Sequence, residues 1–477
     1  MSDALVVGGG IVGSALALRL ADAGLTVARI AMPADRSGQA SRAAGAMLGV
    51  FSEVSAGEVP ERVDLDVRER LAARRLYDPW VAGLAERSGV PVAITPGLFV
   101  VGNADGEDDE AGLAAIAAAA VAHGSKADVV GWRDVPGLEP ERQARPFGVV
   151  YLPDEGSVDT GLLLDALEAV LAAHPGVETV AARAVSIAPG PAGQMRVRLG
   201  SGGQRTAGEV VLTGGAETSA LLRASEALDA GVPPVLAGRG VSVMLRAPVR
   251  IDTAIRTPNR GFACGTHVVP RAGGVYLGAT NRLSTAVQAE RGPTVDELST
   301  LFAAASRELN TMFRHAQVLS VSVGLRPVTL DGLPLAGRTR HPRLLVASAT
   351  YRNGILLAPR LAEVLAAEIL EPGSTAGHPF SPQREVKVAP GGDWMSATAG
   401  RSLVAQLCTP DGRLAAGRAD ELERFLQLTL AALFDAGVVD DGLRRKLNRL
   451  AERAPLQEAV PLIFETVARH TEPRPTG

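Results

Sequence analysis

The stretch that decides the fold is residues 4–30, ALVVGGGIVGSALALRLADAGLTVARI. Ala4–Val7 is a short apolar run, read as a buried strand that breaks into Gly8, Gly9 and Gly10. An alanine- and leucine-rich helical pattern starts near Ile11, and Thr26–Ile30 reads as a second strand. Gly8, Gly10 and Gly13 supply G-x-G-x-x-G in the strand–turn–helix setting of a dinucleotide site. Gly8 permits the tight turn, Gly10 lets backbone approach a pyrophosphate, and Gly13 lets helix and strand pack closely. The helix N-terminus offers free N–H groups and partial positive charge to phosphates. One element of the fingerprint is missing. The acid that would bind ribose at the end of the second strand falls on Ala31 or Met32, and the nearest carboxylate is Asp35.

Outward from this stretch, 477 residues suffice for two or three domains with substantial cores. A net charge of −4 gives no broad basic field for nucleic acid. Cys264 and Cys408 lie far apart, with neither metal spacing nor a disulfide framework, and the seven histidines are scattered. No metal site is expected. No apolar run approaches the roughly 20 residues of a membrane span, and the first strand begins within three residues of Met1. A cytoplasmic protein is the expectation.

Residues 31–54 are rich in small side chains, with a helix predicted around Ser41–Leu48; such residues let backbone approach a bulky planar ligand. An amphipathic helix is predicted over 65–88, a strand over 90–101, a solvated acidic loop over 105–110 and a helix over 111–122. A strand at 147–152 leads through PDEGSVDT to a helix over 161–173, capped by Asp159 or Thr160. Glu209–Leu212 is a further buried strand, ending on Gly214 and Gly215 near the ligand. Residues 235–280 alternate in the manner of antiparallel sheet. A helix begins near Asn353, and three helical patterns lie beyond residue 419.

Five stretches in order, VVGGGIVGSALALRLA, ASRAAGAMLG, YLPDEGSVDTGLLLDAL, GLRPVTLDGLPLAG and YRNGILLAP, make the chain from residue 3 to about 372 resemble the flavin-dependent D-amino-acid oxidase family, with greatest similarity to its glycine-oxidase branch. The fold class implied is α/β plus α+β. A Rossmann-type FAD-binding domain (1–88, 150–222 and 321–372) joins an antiparallel-sheet substrate domain (89–149 and 223–320), followed by a linker (373–400) and a small helical appendage (401–477). The appendage is a candidate surface for a homo-oligomer or a docked partner.

The resemblance implies non-covalent FAD. Ile11 and Val12 would meet the pyrophosphate through backbone N–H groups. Ala40, Ser41, Arg42, Gly45, Ala46 and Met47 would line the isoalloxazine and phosphate region, and Val185 would bond adenine through its backbone. Thr350, Tyr351, Arg352, Asn353, Gly354, Ile355 and Leu356 would pass beside the flavin pyrimidine edge. Arg326, in GLRP, matches the arginine that grips the substrate carboxylate through its planar fork. Arg352, in YRNG, matches a second arginine near the substrate. The reaction implied is hydride transfer from the α carbon of an amine to the flavin. The imine is hydrolysed by water to a 2-oxo acid, and O2 is reduced to H2O2. A dehydrogenase of the same fold and a non-catalytic flavoprotein are the alternatives. Two departures, His267 in place of a tyrosine and Asn281 in place of a methionine, predict a more polar pocket and a substrate other than free glycine.

Overall fold

A computed structural model describes residues 2–32, 38–103, 107–225, 228, 230–259, 265–284, 292–329 and 331–384. Asp35, both cysteines and the predicted C-terminal helices lie outside the described residues.

The chain opens as the sequence predicts. Strand β1 (Ser2–Val7) enters helix α1 (Ile11–Asp22), and β2 (Val27–Ala31) returns parallel to β1. Alternate β1 residues serve two cores: Ala4 and Val6 pack with α1, Leu5 and Val7 on the opposite face. That two-sided burial is why β1 reads as an unbroken apolar run. α2 (Pro60–Ser88) starts with proline at its first position and stops at Gly89, which is left-handed (φ 72°). β3 (Ile94–Asn103) precedes α3 (Glu107–Ala122). The predicted acidic loop is therefore corrected: α3 takes in Glu107–Glu110, and buried Asp109 accepts from the backbone N–H of Asn103 at 3.0 Å.

Short β4 (Asp128–Val129) is followed by β5 (Pro146–Val158), which runs on through PDEGSV. Asp159 then caps α4 (Thr160–Ala173), accepting from the N–H groups of Gly161 and Leu162. β6 (Val177–Ala181), β7 (Ala184–Pro189), β8 (Met195–Leu199) and β9 (Gln204–Leu212) lead to α5 (Thr218–Arg223). β10 (Leu236–Arg246), β11 (Ala254–Arg256), β12 (His267–Arg271), β13 (Gly274–Gly278) and β14 (Arg282–Ser284) follow. α6 (Val295–Ala304) carries a complete capping box between Thr294 and Glu297. It passes into a wider turn over 305–309 and a 3-10 turn over 311–315. β15 (Gln317–Val328), β16 (Leu335–Arg338), β17 (Leu344–Ser348) and α7 (Gly354–Leu370) complete the described elements.

Two sheets result. The first has the order β16-β17-β9-β1-β2-β6, with β7 and β8 attached through β9. The links β17–β9–β1–β2–β6 are all parallel. The second has the order β14-β10-β13-β12-β11-β3-β5-β4, with β15 along β10, and is antiparallel except at β11–β3. The sheets meet at a few backbone joints: Gly38 N–H donates to the Val323 carbonyl, Leu325 N–H to the Gly38 carbonyl, and Tyr351 N–H to the Pro327 carbonyl at 2.7 Å. Residues 373–384, where the sequence reads as linker, pack on the first sheet: Phe380 is buried, its carbonyl accepts from Ala336 N–H, and Arg384 pairs with Asp331. No helix among the described residues is long and apolar enough to cross a membrane.

Candidate functional site

The glycine turn between β1 and α1 is built as its spacing requires. Gly8 is at φ 139°, and a Cβ there would stand 2.4 Å from the Thr213 carbonyl oxygen. A Cβ on Gly13 would stand 2.1 Å from the Gly8 carbonyl oxygen, so strand and helix touch through bare backbone. Gly10 caps α1 without a side chain; Ser41 supplies one instead, its Oγ accepting from Ile11 N–H at 3.0 Å.

This turn forms part of the wall of a cavity of about 410 Å³. Gly8, Gly10, Ile11 and Val12 line it, as do Ala40, Ser41, Val185, Gly214 and Gly215. Arg326, Thr350, Tyr351, Arg352, Gly354 and Ile355 line it as well. The N-terminal residues of α1 and of α7 therefore open on one space, and both helices direct positive partial charge into it.

Other predicted residues lie elsewhere. Gly13 is buried behind the turn, Leu356 is buried within α7, and Asn353 borders a smaller polar chamber on the other side of the Thr350–Arg352 segment. Arg42 stands 4.0 Å from Asp165 of α4, away from the cavity lining. The helix predicted over Ser41–Leu48 is a sequence of turns. Ala46 is at φ 49°, outside the helical region, and the carbonyls of 43–46 are claimed by distant donors. Tyr276 Oη and Ser242 Oγ donate to Ala43, Arg271 Nη2 to Ala44 and Gly45, and Val158 N–H to Ala46. Ala43 and Ala44 reach the cavity; Gly45, Ala46 and Met47 are not among its lining residues.

Arg326 projects from β15 over Gly240 of β10. A Cβ on Gly240 would lie 2.0 Å from Arg326 Nη1, so this glycine is the space the guanidinium occupies. Nη1 donates to the Thr280 carbonyl and to Asn281 Oδ1, each at 3.1 Å. Asn281 Nδ2 donates in turn to Tyr351 Oη. Arg326 forms no ion pair with any described residue. Tyr351 (φ 47°) and Ala349 (φ 56°) both hold left-handed backbone, a sparsely populated state for side-chain-bearing residues.

Arg352 is differently placed. Its Nε lies 3.2 Å from Glu53 Oε2 and its Nη1 donates to Asn259 Oδ1 at 2.8 Å. Glu53 also pairs with fully buried Arg256, which donates to Asn259 as well. Burial alone would raise the Glu53 pKa; the Arg256 and Arg352 guanidiniums instead hold it at about 2. His267 is buried against Tyr276 (ring centroids 5.7 Å apart) with Nδ1 3.2 Å from the Gly265 carbonyl. Burial, and then the charge of Arg256, press its pKa down to about 3, so it is neutral. Neither His267 nor Asn281 is among the cavity's lining residues. Both ends of the Asn281 amide and Nδ1 of His267 have protein partners.

Several cavity residues escaped the sequence reading: Gly38, Gln39, Thr213, Gly240 and Gly324 line it. Met32, at the position of the missing ribose acid, also lines the cavity, as do Arg183 and Glu217, which form an ion pair of 3.0 Å. The G-x-G spacing in GRGV was the available signal for Gly240.

The comparisons agree with this geometry. A family model described as "FAD dependent oxidoreductase" (DAO) matches residues 3–368. A glycine oxidase of Geobacillus kaustophilus is 30% identical over 396 residues, covering 80% of this chain and 97% of its own. The crystal structure of the glycine oxidase from that organism superposes with a TM-score of 0.68 at 27% identity, covering 81% of this chain and 99% of its own. The glycine oxidase structure from Bacillus cereus ATCC 14579 gives 0.66 at 23% identity, covering 82% and 100%, a likeness of fold.

Proposed function

The chain belongs to the DAO family of FAD-dependent oxidoreductases acting on C–N bonds, and we propose that its substrate is a small amine bearing one carboxylate, a glycine or N-substituted glycine. The products are an imine, hydrolysed to a 2-oxo acid and an amine, with O2 reduced to H2O2. The observation that carries this reading is Arg326: a guanidinium at the cavity wall, anchored through Nη1 by neutral acceptors and without an ion pair among the described residues. Such a cation is complementary to a carboxylate, and a planar fork fixes orientation as well as position.

The residues present fit FAD. Gly8 and Gly13 have no room for side chains, two helix N-termini face the same cavity, and the Thr213–Gly215 segment lies directly beside the glycine turn and lines that cavity with it. Ile11, Val12 and Ser41 would hold the phosphates, Val185 the adenine side, and Thr350–Ile355 the ring side. When bound, FAD supplies the two-electron acceptor. The protein's own task is positional: Arg326 would hold the carboxylate so that the adjacent C–H is presented in one orientation, which accounts for much of the rate in reactions of this kind. His267, neutral and bonded to backbone, has no assigned proton-transfer role here.

His267 and Asn281, expected to make the pocket more polar, lie outside the cavity lining. The basis for substrate choice is therefore the carboxylate. An anaerobic screen of amines, following bleaching of the flavin visible band, tests the reading. Glycine, sarcosine and longer N-alkyl glycines are expected to bleach it, their decarboxylated analogues are not, and Arg326→Leu is expected to abolish the difference. Equal bleaching by decarboxylated amines would overturn it.

A further inference from the structure

Arg326 would not by itself present a defined edge to a ligand. A guanidinium has two edges able to make a bidentate bond, and a long flexible stem. Three features of this chain remove that freedom. The Thr280 carbonyl and Asn281 Oδ1 both take Nη1, each at 3.1 Å. Gly240 and Gly238, at alternate positions of β10, leave a slot. A Cβ at 240 would lie 2.0 Å from Nη1, and one at 238 would lie 2.9 Å from Asn281 Oδ1. Asn281 is fixed at its other end, its Nδ2 donating to Tyr351 Oη, and Tyr351 is tied through its N–H to the Pro327 carbonyl, one residue beyond Arg326.

We propose that Asn281 is a positioning residue that selects the edge of Arg326 offered to the substrate: with Nη1 held by Asn281 and Thr280, the Nε–Nη2 edge takes the carboxylate side-on. The inference rests on the reading of Arg326 as the carboxylate anchor. It assigns Asn281 to the arginine rather than to the substrate, and it makes the amide, an acceptor without charge, a requirement. A carboxylate at 281 would pair with Arg326 and compete with the substrate for it; a hydrocarbon would leave Nη1 with one acceptor and the fork free to rotate.

The test uses the FAD-loaded full-length protein and acetate and glycolate as probes, with the dissociation constant read from their perturbation of the flavin visible spectrum. Asn281→Asp is expected to weaken both probes by about thirty-fold or more, since a charge-assisted pair replaces a neutral bond. Asn281→Leu is expected to weaken them by about three- to ten-fold, the usual effect of losing one hydrogen bond to a charged group's support. It should also raise KM for a carboxylated amine more than it lowers kcat, a split that a general loss of fold would not produce. Asn281→Ser, which restores a neutral acceptor, is expected to recover part of the loss. FAD-loaded variants binding both probes within about two-fold of the parent, a change too small to count as a lost bond, would overturn the role of Asn281 and leave Arg326 standing. A parent protein with no carboxylate response would overturn both. If one variant fails to retain FAD, the other decides.

Discussion

The hydroxyl of Tyr77, deep in α2, donates to the carbonyl of Ile355 in the first turn of α7 at 2.8 Å. That carbonyl would ordinarily accept from the N–H four residues on, but residue 359 is proline and has none. The phenol takes the place of the missing backbone donor and holds α7 where its N-terminus meets the cavity. Burial accordingly raises the Tyr77 pKa well above that of a free phenol. Tyr77→Phe keeps the packing and orphans a buried acceptor, so a loss of about 1–3 kcal/mol is expected in urea denaturation. An unchanged midpoint would refute the substitution of donors.

Glu53 lies between Arg256 and Arg352 in a buried cluster. Removing one partner of such a cluster leaves charge without compensation, and Glu53→Gln should cost about 3 kcal/mol of stability. Arg352 is bound into this cluster through Glu53 and Asn259, so Arg352→Met is expected to lower the melting temperature more than it weakens acetate binding. Arg326→Met should do the reverse. Thermal melts alongside probe titrations of the two variants distinguish the arginines.

Gly240→Ala places a methyl group where the Arg326 guanidinium now lies. We expect FAD to be retained and acetate affinity to fall by about ten-fold or more, the consequence of displacing a charged fork from its acceptors. Wild-type acetate binding in a folded Gly240→Ala protein would mean that the arginine does not need this slot.

His267 makes stability depend on pH in a defined direction. Its folded pKa, about 3, is below the unfolded value of 6.5, so between these values the unfolded chain binds more protons. Stability then falls as pH drops through that window, by up to about 1.4 kcal/mol per pH unit. Glu53, depressed from 4.5 to about 2, acts in the same direction but only below the unfolded carboxylate value. Denaturation midpoints from pH 7 to 5 should therefore flatten in His267→Gln, and an unaltered slope would remove His267 as the source.

What could be read from the sequence was local or periodic. The glycine turn, the Asp159 cap and the start of α7 near Asn353 depend on neighbours within a few residues, and all stand where expected. Around the cavity the failures are long-range. Ser41–Leu48 looks helical by composition, but Arg271 and Tyr276, more than 200 residues away, claim its carbonyls. Arg352 lines the cavity as expected, but its ion pair with Glu53, far off in the chain, could not be read from the sequence. Asn281 reads as a polar wall of the pocket until both ends of its amide are seen to be taken. Motifs identify which side chains matter; whether a side chain faces a ligand or another residue is decided by tertiary contacts that leave no periodic trace.

One of the bonds that join the two sheets beside Arg326 is made by main-chain atoms alone, Tyr351 N–H to the Pro327 carbonyl. A bond between peptide groups is indifferent to what side chains its residues carry. Mutations that redraw the pocket's walls can therefore accumulate while this joint between the two sheets keeps its hydrogen bond.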